Sequence, residues 1–155
     1  MENLYLRRAT VRDVKSIHAM LLQTAAEGLL LPRSLNQLYN HLRDFHVLDS
    51  YDGAGLMGCC ALSITWEDIA EIRSLVVSKA LRGQGHGRRL AQACIDEGAA
   101  LGIGRVFTLT YQVEFFEKFG FIEVSKDQLP QKVWADCIHC PKFPDCDEHA
   151  MLLDL

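Results

Sequence analysis

Apolar and polar positions change period along the chain, and each change marks an element. Leu4-Tyr5-Leu6-Arg7-Arg8 predicts a short strand. Thr10-x-x-Asp13 then has the form of a capping box, and Val14, Ile17, Leu21 and Leu22 behind it predict a helix with one apolar face. Gly28 and Pro32 interrupt this pattern. Ser34-x-x-Gln37 opens a second helix carrying Leu35, Leu38 and Leu42. Residues 45–51 and 56–65 are β-favouring runs flanking the turn signal Asp52-Gly53-Ala54-Gly55, and residues 69–77 form a third run after polar Glu67-Asp68. Together these predict an antiparallel meander. A glycine-rich loop leads into a helix from 86 to about 101, with Leu90, Ala91, Cys94, Ile95 and Ala99 as its apolar stripe, and then a strand at 106–110. Strand, helix and strand in that order imply one parallel pairing. Residues 112–119 predict a helix stopping at Gly120, with strands at 121–124 and 150–155.

Composition narrows the class. The chain has 155 residues, 49% hydrophobic and 23% charged, which is the length of one domain with room for a sizeable core. It is expected to fold alone or as a small oligomer, such as a homodimer. A net charge of −4 disfavours nucleic-acid binding and requires any anionic ligand to be held by local cations. The mostly apolar stretches around 56–64 and 75–77 are too short to span a bilayer, and Met1-Glu2-Asn3 does not begin a signal peptide, so a cytoplasmic protein without membrane contacts is expected. Cys59, Cys60 and Cys94 lie in apolar segments and read as buried core thiols.

Candidate chemistry centres on Arg82-Gly83-Gln84-Gly85-His86-Gly87, between a strand and a helix. Its glycines let backbone amides approach an anion at the helix N-terminus, a geometry suited to phosphate. No Gly-Lys-Ser/Thr follows, and the spacing differs from the dinucleotide fingerprint. A merely tight strand-to-helix turn is the alternative.

Arg82-x-x-Gly85-x-Gly87 after Leu75-Val76-Val77, followed one strand later by Glu114-Phe115-Phe116-Glu117-Lys118-Phe119-Gly120-Phe121, resembles the acetyl-CoA motifs of the GNAT acetyltransferase superfamily. The resemblance implies an α/β (α+β) fold with a mixed, mostly antiparallel, splayed sheet and helices on both faces. It also implies acetyl-CoA as co-substrate, with pyrophosphate on amides of residues 83–88 and pantetheine along Leu75, Val76 and Val77. Arg82, Gly83, Gln84, Gly85, His86, Gly87 and Arg88 are the loop residues concerned. Further pieces resemble the acetyltransferase module of the N-acetylglutamate synthase family: residues 28–34, Glu71-Ile72-Arg73-Ser74, residues 106–110, Leu129-Pro130, Lys132 and the closing Met151-Leu152-Leu153-Asp154-Leu155. The amino-acid-kinase-like domain that often precedes this module is not in the sequence, so a short stand-alone form is expected. Regulation by arginine through that domain is not implied.

Acyl transfer to an amino acid needs a neutral amine, hence a proton acceptor within reach. Glu71 is the candidate base; it shares a strand face with Arg73, roughly 7 Å along. A cross-strand ion pair on a solvated face is the alternative. Backbone N–H groups near Leu75 and Val76 would stabilise the thioester oxygen. The resemblance places Phe116 where many relatives carry a Tyr acid; Tyr111 is the substitute, or an aromatic closing the core. The two carboxylates of glutamate call for two cations, and Arg33 and Arg73 are the best pair, with Thr110 as a further acceptor contact and Lys132 as a weaker third cation or a surface charge. The expected reaction is acetylation of the α-amine of L-glutamate in arginine biosynthesis; another amino acid, a small amine, or a silent acetyl-CoA-binding module are the alternatives. Arg7, Arg8, Arg43 and Arg105 read as solvated charges, and His18, His41 and His46 as surface or helix-face histidines.

Cys137-x-x-Cys140 with Cys146 and His149 has the spacing of a structural zinc site. Reduced thiols, a redox pair and a site shared between subunits compete with it.

Overall fold

The computed structural model describes residues 3–28, 30, 32–129 and 148–155. The strands are β1 (Leu4–Arg8), β2 (Phe45–Ser50), β3 (Leu56–Trp66), β4 (Ile69–Val77), β5 (Arg105–Thr110), β6 (Ile122–Val124) and β7 (His149–Asp154). The helices are α1 (Val14–Ala26), α2 (Leu35–Asn40), α3 (His86–Ala100) and α4 (Val113–Glu117). All seven strands join one sheet in the order β1-β2-β3-β4-β5-β7-β6. Every pairing is antiparallel except β4 with β5, which α3 connects.

Helices cover both faces because neighbouring side chains on a strand point to opposite sides. Cys60 and Leu62 pack with Leu90, Cys94 and Ile95 of α3, whereas Cys59 and Ala61 pack with Val14, Ile17 and Leu21 of α1. The three thiols are free and buried, as their apolar setting predicted. Each large apolar side chain so enclosed contributes about 1.5–3 kcal/mol. A third cluster, Ile69, Phe107, Leu129 and Ala150, lies towards the β5–β7 side.

Several residues depart from the predicted pattern. Thr24, not Leu22, completes the α1 stripe; Leu22 is 47% exposed. Gly98 takes the place of Ala99 on α3, where a side chain would meet Leu62 and Val106. Arg7 is no solvated charge: its guanidinium bridges Asp13 at 2.8 Å and Asp49 at 2.9 Å, tying β1 to β2 and to the start of α1. Hydrogen bonds from Arg7 hold the Asp13 carboxyl below its ordinary range. Arg8 pairs with Glu97 of α3 at 2.8 Å, and His46 is buried beside them with its ring 3.1 Å from the same carboxylate. Burial pushes the His46 ring below the usual histidine range.

Candidate active site

The site begins with an irregularity in β4. Cys59 pairs with Val76 but Ala61 pairs with Arg73, so one extra residue is accommodated around Ser74. Ser74 has φ 58, the left-handed region that non-glycine residues seldom occupy, and its carbonyl accepts a 3.4 Å hydrogen bond from the Cys59 thiol. The bulge reverses side-chain parity. Ala70 and Ile72 face α3 before it, and Leu75 and Val77 do so after it, while Val76 faces α1.

β4 and β5 also part here. Their ladder runs from Ile69↔Arg105 to Glu71↔Phe107, and the Thr108 hydroxyl donates to the Ile72 carbonyl at 2.9 Å. Beyond that point the end of β4 borders a cleft of about 400 Å³. Leu75, Val76 and Val77 form one wall; Arg82, Gly83, Gly85, Gly87 and Arg88 form the floor; Gln112, Phe115, Lys118 and Phe119 close the far side. Thr24 and Leu30 reach in from α1 and the segment after it.

The floor is a helix N-terminus. Gly83 and Gly85 have φ 82 and 87, and a Cβ at either would meet nothing within 4 Å, so glycine is required there by backbone conformation and leaves the amides open on one side. Gly85 is the N-cap of α3 and has no side-chain cap, which leaves the first amides of that helix available to an anion. Gln84 is exposed in the loop and His86 is buried as the first residue of α3. Cations surround the floor. Arg88 stacks on the Phe119 ring at 5.4 Å, and Arg82 donates to the Val77 carbonyl at 3.2 Å while pairing with Glu27 at 3.2 Å.

A second cluster of charges lies on the α1–α2 side of the sheet. Glu71 and Arg73 form an ion pair at 3.9 Å along their own strand, with Glu71 the more buried partner. Arg33 is 7% exposed, sits 5.6 Å from the centre of the Phe45 ring, and its Nη1 has no hydrogen-bond partner among the described residues. Burial, reinforced by the neighbouring charge of Arg73, pushes the Arg33 guanidinium down to about 10; Asp44 and Glu71 pull the other way. Burial likewise raises the Asp44 carboxyl. Two arginines and two acids thus converge on this side of the sheet.

The structure places the remaining sequence candidates as follows. Thr110 is buried at the end of β5, where its hydroxyl accepts the Gln112 amide hydrogen at 2.8 Å. Tyr111 follows directly and is half-buried. Lys132, Cys137, Cys140 and Cys146 lie outside the described residues. His149 is exposed on β7 and its ring lies 2.5 Å from the Glu123 carboxylate. Among the described residues no three His, Cys, Asp or Glu side chains group as metal ligands. Sequence reasoning passed over Phe115, Lys118 and Phe119 as lining residues, although Phe115 and Phe119 recur at helical spacing in the quoted motif. It also passed over Asp44 and Glu27, whose signal is only spatial.

A sheet that splays between one parallel strand pair and so exposes the end of β4, a bulge that turns the side chains there, and an uncapped glycine-rich helix start define a thioester-cofactor acyltransferase fold. The chain belongs to the acetyltransferase (GNAT) family, whose pattern matches residues 15–121. It is 39% identical over 150 residues to an uncharacterized N-acetyltransferase of Chlorobaculum tepidum, spanning 97% of this chain and 96% of that one. It is 35% identical over 132 residues to an amino-acid acetyltransferase of Mycobacterium tuberculosis, spanning 84% and 75%. In structure it is similar to an N-acetylglutamate synthase from Neisseria gonorrhoeae complexed with coenzyme A and N-acetyl-glutamate, with a TM-score of 0.87 and 32% identity over 98% of this chain and 35% of that longer one. The protein is therefore an acetyltransferase with amino-acid acetyltransferases among its relatives. No described helix is long and apolar enough to cross a membrane.

Proposed function

We propose that the protein transfers the acetyl group of acetyl-CoA to the α-amine of L-glutamate, the reaction that supplies N-acetylglutamate to arginine biosynthesis. One observation carries the choice of acceptor. Arg33 is a buried cation whose Nη1 has no hydrogen-bond partner among the described residues, set beside Arg73, and a carboxylate is the ligand that compensates it. The two carboxylates of glutamate match the two guanidinium groups, and Glu71, ion-paired to Arg73, is the acid that would take the proton of the α-ammonium.

In this reading the floor of residues 83–88 holds the pyrophosphate of acetyl-CoA, and Leu75, Val76 and Val77 receive its pantetheine arm along the strand edge from which β5 has parted. Amides near Leu75 and Val76 face the thioester oxygen as charge develops there. The neutral amine attacks the thioester carbon, the N–C bond forms and the C–S bond breaks. Glu71 takes the ammonium proton directly or through water. The second proton, which nitrogen sheds once the N–C bond has formed, passes through water to the departing thiolate, directly or by way of Tyr111; a thiol with a pKa near 8.5 leaves readily enough that no strong acid is required.

A second reading rests on Asp44. Its carboxylate beside Arg33 gives the cluster as many acids as cations, which suits an acceptor with an uncharged amide side chain, such as glutamine. Release of CoA from acetyl-CoA, measured with glutamate, glutamine, aspartate, ornithine and lysine, decides between them. Glutamate is expected to be fastest; equal or greater activity with ornithine or lysine would sink both readings.

A further inference from the structure

The segment that follows α1 touches both halves of the site. Glu27, the C-cap of α1, pairs with Arg82 of the phosphate-type loop; Leu30 lines the cofactor cleft; Arg33 belongs to the acceptor cluster. Arg82 is held at two points, by the Glu27 carboxylate and by the Val77 carbonyl, both at 3.2 Å. Glu27 is therefore an anion placed against a cation that lines a cleft whose floor suits phosphate. It opposes a polyphosphate ligand twice, by its own negative charge and by occupying Arg82. A carboxylate in that place is unfavourable for cofactor binding alone, so its contribution must lie elsewhere.

We propose that Glu27 is a positioning residue: through Arg82 it fastens the segment bearing Leu30 and Arg33 to the cofactor loop, strengthening acceptor binding while weakening coenzyme A binding. The inference rests on the preceding reading only in taking Arg33 as an acceptor contact. Two sites joined by one short segment are coupled whenever a ligand at one alters how that segment is held. Arg82 is the joint, because the cofactor's phosphates and Glu27 compete for the same guanidinium.

The signature is a pair of opposite shifts, which simple loss of structure cannot produce. In Glu27→Gln, the dissociation constant for coenzyme A, measured by calorimetric titration, should fall about two- to fivefold, the range of a partly exposed ion pair. The KM for the acceptor should rise about threefold or more with kcat little changed. Glu27→Asp keeps the charge and should keep the coenzyme A constant near that of the parent. Coenzyme A binding that is unchanged or weaker in Glu27→Gln overturns the proposal, as does tighter coenzyme A with an unmoved acceptor KM. The kinetic arm uses whichever acceptor the panel ranks first, so failure of glutamate corrects the substrate and leaves this test intact. If no acceptor is turned over, the functional reading falls, and the coenzyme A titration still decides the electrostatic half.

Discussion

Arg7, in β1, and Arg33, just before α2, illustrate opposite uses of the same side chain. Arg7 is matched by two carboxylates at 2.8 and 2.9 Å and stabilises the fold. Arg33 is buried and its Nη1 has no partner among the described residues, an arrangement that costs stability in the free protein. Replacing it with a methionine of similar length should therefore leave thermal stability unchanged or raise it by about 1–3 kcal/mol, while the acceptor KM rises by about 10- to 150-fold for a lost charged hydrogen bond. Melting curves and initial rates on the same preparation check both; a large loss of stability would make Arg33 structural. Arg73→Ala should also raise the acceptor KM with coenzyme A affinity little altered. Glu71→Gln should lower the rate at least 100-fold near neutral pH and recover in part at higher pH, where free amine is more abundant. An unchanged pH–rate profile would move the base elsewhere. For Asp13 the folded carboxyl titrates below its unfolded value, so its stabilisation is complete above pH ~4 and is lost as pH falls through the lowered folded value. Asp13→Asn should flatten that part of the acid-denaturation curve.

At the level of elements, regular periodicity was readable and local exceptions were not. The six residues of α2 follow from Ser34 and Gln37, whose side chains exchange hydrogen bonds with each other's backbone amides at 3.1 and 3.0 Å. The meander follows from alternation and from the Asp52–Gly55 turn signal, and α3 from its stripe. The bulge at Ser74 left no trace, because serine does not announce a positive φ and the apolar run 75–77 reads equally well in either register. Likewise the loop motif pointed to Arg82, Gly83, Gly85, Gly87 and Arg88 along the cleft, but only the fold brings Glu27 to Arg82, from a distant part of the sequence, and turns Asp44 back towards Arg33 across α2. The bulge yields its own test. Ser74→Gly suits the observed backbone and should be neutral or stabilising by up to about 1 kcal/mol, whereas Ser74→Val, β-branched at positive φ, should cost about 1–3 kcal/mol and weaken coenzyme A binding. Urea unfolding and calorimetric titration measure the two effects. Equal behaviour of both variants would show that the bulge is not conformationally demanding.

For the whole molecule, the order β5-β7-β6 carries a consequence for how the sheet assembles. Among the described residues β6 joins the sheet only through β7: Ile122, Glu123 and Val124 pair with Leu152, Met151 and Ala150, which on their other side pair with β5. The strand made earlier must wait for the one made later. Until β7 arrives, one edge of β5 is an open ladder and β6 has no neighbour, so closing this corner is a long-range event with a large loop-entropy barrier. Met151, fully buried in the main core between Thr108 and Glu123, is the natural probe of that step. Met151→Ala should destabilise by about 2–5 kcal/mol. If insertion of β7 is a late event, nearly all of that loss will appear as faster unfolding, with the refolding rate scarcely changed, in stopped-flow chevrons.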